Sequence, residues 1–116
     1  MQKADKAAYI WTSYLENLNS MCDLRYMPSA RKYLKKLKDK GIIDAYRTAL
    51  AKIAADPYIE EAKKGDLAGI YNMDVFCDKI NYEIAYRIYE GDEQIVVIIL
   101  AGTRENFYNE LKRYIS

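Results

Sequence analysis

A chain of 116 residues is the size of one domain and can bury a core without disulfide or metal staples. Its formal net charge of +1 excludes the global basic field of a general nucleic-acid binder and leaves only local patches to consider. The absence of histidine removes the commonest general base and metal ligand, so catalysis here must run on Arg, Lys, Tyr, Asp or Glu.

Residues 4–19 set Ala7, Ala8, Trp11, Tyr14, Leu15 and Leu18 at helical spacing, with Asp5, Glu16 and Asn17 on the other side. This helix is expected to pack on the domain's own core, or to dock on a partner or a second copy. Alternation at Cys22, Leu24 and Tyr26 suits a first strand. Pro28 then fits the first turn of a helix whose apolar stripe is Ala30, Tyr33, Leu34 and Leu37. Gly41 is expected to cap its C-terminus with a positive φ. A second helix runs over residues 42–55 on Ile43, Tyr46, Leu50, Ile53 and Ala54, until Asp56 and Pro57 stop it. The short connection predicts an antiparallel helical hairpin. Five lysines and one arginine lie from Arg31 to Lys40; they read as a solvated helix face, with a specific phosphate contact as the alternative.

Three β-rich runs follow, separated by Asp78 and Lys79 and by Gly91, Asp92 and Glu93. Gaps this short suit a three-stranded antiparallel meander. Parity sends Tyr71, Met73, Val75, Tyr82, Ile84, Tyr86 and Ile88 to one face, and Asn72, Asp74, Phe76, Glu83, Ala85 and Arg87 to the other. The third run, residues 95–100, is apolar on both sides, as in a central strand. A last amphipathic helix is expected over residues 105–115. The reading is an α+β domain in which a helical hairpin covers one face of a small sheet and the acid-dotted face stays free.

That mixed face gathers the candidate chemistry. Asn72, Asp74, Glu83 and Arg87 share it, and Arg104 and Tyr108, at i and i+4, sit where the third strand gives way to the helix. Arg104 could hold an anionic group, and Tyr108 could stack or pass a proton. A plain cross-strand ion network explains the same residues. Cys22 and Cys77 lack CxxC spacing and read as reduced thiols of a cytoplasmic protein. No apolar run reaches the roughly 20 residues that cross a bilayer, and the N-terminal residues lack the unbroken apolar core of a secretory signal. No cofactor or metal is expected.

In the order and spacing of its pieces, the chain resembles the RelE/ParE superfamily of bacterial type II toxin–antitoxin toxins, in its ParE-like branch. The pieces are Pro28, Ser29, Ala30 and Arg31 opening the hairpin, Asp56 and Pro57 closing it, and Gly65, Asp66, Leu67, Ala68 and Gly69 leading into the sheet. Val96, Val97, Ile98 and Ile99 follow, then Gly102, Thr103, Arg104, Glu105, Asn106, Phe107 and Tyr108. The resemblance covers residues 21–116 and makes residues 1–20 an N-terminal helical extension of a single domain, with homodimerisation through that helix left open. It implies a small cytoplasmic toxin neutralised by a cognate antitoxin.

One branch of that superfamily cuts ribosome-bound mRNA with cationic side chains, and the other poisons DNA gyrase. Carried over residue by residue, the RNase motif keeps Arg104 and Tyr108. Its basic positions on the first two meander strands hold Asn72, Asp74 and Glu83 instead. Two carboxylates there repel a scissile phosphate rather than stabilise its transition-state charge. Arg87 shares the face of Glu83 but lies roughly 13 Å further along the strand. The catalytic candidates are therefore Arg104, Tyr108, Glu83 and Arg87, and the partner-binding candidates are Asn72, Asp74, Lys35 and Lys36. Three functions compete: binding a protein target such as gyrase, mRNA cleavage by a rearranged site, and a non-toxic binding module.

Overall fold

The structure, a computed structural model, describes residues 23–105 and 107–115. The expected helix over residues 4–19, the homodimer contact assigned to it, and Cys22 all lie outside the described residues. The described elements run β1 (Asp23–Tyr26), α1 (Pro28–Lys36), α2 (Lys40–Ala55), β2 (Tyr71–Cys77), β3 (Ile80–Tyr89), β4 (Ile95–Thr103) and α3 (Phe107–Ile115).

The strands form one four-stranded sheet in the order β1-β4-β3-β2. The meander is antiparallel as expected, with Asp74 opposite Glu83 and Glu83 opposite Gly102. Strand β1 adds to it in parallel, Leu24 beside Val96, so the sheet is mixed and β4 is interior. The β2–β3 turn has only two residues, Asp78 (φ 51°) and Lys79 (φ 66°), both left-handed. That geometry follows the twist of the flanking strands.

Local chemistry explains the helices. Pro28 occupies the first turn of α1, Ala30 and Leu34 bury one stripe, and Lys35 and Lys36 lie in the last turn, where the helix dipole favours cations. Gly41 does not cap α1: it lies inside α2, and no left-handed φ is found there. Asp39 is the cap residue instead, its side chain accepting the Ile42 N–H at 3.1 Å. The sequence Asp39-Lys40-Gly41 carries a start signal and a stop signal together, and the N-cap prevailed. Helix α2 buries Ile43, Tyr46, Ala49, Leu50, Ile53 and Ala54, and ends at an extended Asp56 before Pro57.

Two cores result. Helices α1 and α2 cover one face, where Leu34, Tyr46, Leu50 and Ile53 meet Met73, Ile84, Tyr86 and Ile98. Helix α3 covers the other, where Phe107 and Leu111 meet Ile70, Ala85, Ile99 and Leu100. A β-bulge makes the second core possible. Ala85 pairs with Leu100 and Tyr86 with Ile98, so Ile99 is an extra residue and turns to the same side as Leu100. The expectation of a free acid-dotted face is corrected here: α3 lies across part of it and leaves Glu83 only 1 % exposed.

Candidate functional site

The site is built where α3 crosses β3 and β2. Alternation points Glu83 away from the α1–α2 core, and the turn after β4 brings the chain back over it. That turn is fixed by two backbone bonds. The Arg104 N–H donates to the Asn81 carbonyl at 3.1 Å, and the Phe107 N–H donates to the Arg104 carbonyl at 3.2 Å. Phe107 and Leu111 then seat α3, and Tyr108 falls over Glu83.

Glu83 Oε1 accepts two hydrogen bonds, from Asn72 Nδ2 at 2.5 Å and from the Tyr108 hydroxyl at 3.2 Å. Glu83 Oε2 and Asn72 Oδ1 are buried acceptors without a hydrogen-bond partner among the described residues. Such groups keep a desolvation cost that no bond offsets. Asp74 lies directly across the strand pair from Glu83 but is exposed. Among the described residues no ion pair joins Asp74, Glu83, Arg87 and Arg104, so the cross-strand ion network is absent.

Burial pushes the Tyr108 hydroxyl above its ordinary pKa, and the Glu83 charge and hydrogen bond add to the shift. The Arg104 guanidinium opposes it. Lys63 was not singled out in the sequence, yet its ammonium lies 5.9 Å from the centroid of the Tyr108 ring. An isolated bridge from Ala62 to Tyr71 carries Lys63 to this place. No periodicity marks that bridge, and only the paired lysines before Gly65 hinted at a basic spot.

The structure thus brings together Glu83, Tyr108 and Asn72, with Asp74, Arg104 and Lys63 around them. Arg87 is half-buried further along β3. Lys35 and Lys36 belong to α1, which packs in the other layer. Among the described residues no group of three or more Cys, Asp or Glu is arranged to hold a metal ion, and no helix is long and apolar enough to cross a membrane. Chemically, the Glu83 carboxylate is enclosed, with one oxygen spent on Asn72 and Tyr108. The arrangement fastens a helix to a sheet, and its open cations are Arg104 and Lys63.

No curated protein matches the chain. A family model for the ParE-like toxin of type II bacterial toxin-antitoxin systems matches residues 24–112, which takes in β1 from Leu24 onward, β2, β3, β4, α1, α2 and most of α3. The chain belongs to the ParE-like toxin family of type II toxin-antitoxin systems.

Proposed function

We propose that this chain is a toxin, neutralised by a cognate antitoxin in the cytoplasm, and that it acts by binding a protein target such as DNA gyrase rather than by cutting RNA. The observation that carries this reading is the state of Glu83. Where an RNA-cleaving relative would need a cation facing the phosphate, this chain buries a carboxylate and ties it to Asn72 and Tyr108. Asp74 adds a second negative charge beside it. A phosphodiester gains charge in its transition state, so an acidic floor opposes the reaction it would have to promote.

A second reading keeps some support from Arg104 and Lys63, which flank Tyr108 and could take up a phosphate between them. Induction of the gene in a bacterial host, alone and with its neighbouring reading frame, separates these ideas. Growth arrest relieved by the neighbouring product, with lost plasmid supercoiling and intact mRNA, is the expected result. New mRNA ends that vanish in Arg104→Ala would establish the RNase instead. Undisturbed growth would sink both toxin readings in favour of a binding module.

A further inference from the structure

Residues 31–40 hold Arg31, five lysines and one acid, Asp39, a local charge of +5 in a chain that totals +1, so the remaining residues carry −4. Arg31, Lys32, Lys35 and Lys36 lie on α1, and Lys38 and Lys40 continue the run to the start of α2. All but the half-buried Lys35 are exposed. Among the described residues no carboxylate forms an ion pair with any of them. Asp39, the acid within the run, spends its side chain on the Ile42 N–H at the head of α2.

Helical spacing sets Arg31 beside Lys35 and Lys32 beside Lys36, and like charges at i, i+4 work against a helix. Arg31 also falls in the first turn, which holds no acidic residue and where the helix dipole favours anions. A face that served solubility alone would mix both signs. A bound polyanion is what would offset this repulsion.

The kind of polyanion follows from what the face lacks. Ala30 and Leu34, the apolar side of α1, are buried in the core, so no apolar stripe is left to enter a membrane. Tyr33 turns its ring edge-on to Tyr46 in that core and offers the face no aromatic anchor. Protein interfaces rely on such anchors and are poor in lysine. Single strands need aromatic rings on which their bases stack. A row of cations with no other chemistry fits the dense phosphates of duplex DNA.

We propose that the outer face of α1, through Arg31, Lys32, Lys35 and Lys36, binds the phosphate backbone of duplex DNA without reading its sequence. The inference rests on α1 alone, in the layer away from Glu83 and Tyr108, and does not depend on the toxin reading. For a target that works on DNA, contact with the same duplex raises the toxin's effective concentration beside it.

The test titrates the full chain into a fluorescent duplex of about 20 base pairs at several salt concentrations. Contact with about four phosphates predicts a log–log slope of about −3.6 against salt, with binding strong at about 50 mM and fading toward physiological salt. Lys32→Gln combined with Lys36→Gln should weaken binding about ten-fold or more at about 50 mM and make the slope shallower by about two. The same double variant should keep its stability, since it removes a repulsive pair. Arg113→Gln, an equal loss of charge at an exposed position on α3, should leave the slope unchanged. Full binding by the double variant, an equal loss in Arg113→Gln, or no binding at about 50 mM would overturn the proposal. So would tighter binding of polyglutamate, of a single strand or of an RNA duplex of the same length, each of which would name a different partner. Purified chain and DNA suffice, so the outcome is independent of whether induction slows growth.

Discussion

The Tyr108 hydroxyl donates to Glu83 Oε1 across 3.2 Å, a polar tie between α3 and the sheet. Hydrogen bonds to charged groups contribute about 1.5–3 kcal/mol, and the half-buried position of Tyr108 puts this one at the low end. Tyr108→Phe should therefore lower stability by about 1–2 kcal/mol in urea titration. Leu111, fully buried, holds the same helix by packing, and Leu111→Ala should cost about 2–4 kcal/mol. If the two variants lose equal stability, packing is not the main fastening of α3.

Alkali should unfold the domain from about pH 10 upward, because its buried tyrosines resist ionisation. Burial raises the pKa of Tyr46, with help from the Tyr33 hydrogen bond, and burial also raises Tyr82 and Tyr86. Exposed Tyr58 is pushed up to about 12, chiefly by its hydrogen bond to Glu90. The sign follows from which state releases protons first. Below the unfolded tyrosine value both states hold the proton and stability is intact. Above it the unfolded chain ionises first, and each of the buried tyrosines that resists, Tyr46 and Tyr86 foremost, removes up to about 1.4 kcal/mol per pH unit. Tyrosine absorbance should show an early group near the ordinary value and a late group rising together with loss of near-ultraviolet circular dichroism. A single smooth titration, with the fold intact throughout, would refute it.

The turn of β2 and β3 offers a gain. Asp78 and Lys79 both hold a left-handed φ, which costs a residue with a Cβ about 1–2 kcal/mol. Lys79 is exposed, so its side chain contributes little packing. Lys79→Gly makes the Asp-Gly pair favoured in such turns, and should raise stability by about 0.5–1 kcal/mol after the extra unfolded-state entropy of glycine. A raised urea midpoint with unchanged slope is the expected result. A lowered midpoint would mean that Lys79 makes a contact in solution that outweighs the backbone strain.

Much of this architecture could be read from spacing. The stripe of Ile43, Tyr46, Leu50 and Ile53 gave α2, and parity at Met73, Val75, Ile84 and Tyr86 separated the faces correctly. The bulge at Ile99 was hidden because residues 95–100 are apolar throughout, and a register slip leaves no trace in such a run. For the same reason the second core was hidden. Phe107 and Leu111 announce an amphipathic helix, but not the surface it covers. Glu83 shows the limit best. Its residue type argued for solvent, and only the path of α3 put it in the interior. Lys63 came to the site through one isolated bridge, which no short-range pattern encodes.

Asp74 and Glu83 provide the sharpest energetic test of the site. They face each other in the β2–β3 register, at a pair that the two-residue turn makes non-hydrogen-bonded, where side chains approach most closely. Like charges placed so destabilise a sheet by about 0.2–1 kcal/mol. Asp74 is exposed, so its removal opens no cavity and breaks no hydrogen bond among the described residues. Asp74→Asn should stabilise the domain at pH 7 by about 0.5 kcal/mol, and the gain should shrink in high salt as the repulsion is screened. In a Glu83→Gln background the same substitution should gain nothing, and this cycle isolates the pair from every other effect of Asp74. An equal gain in both backgrounds would show that Asp74 is unfavourable for a reason other than its neighbour Glu83.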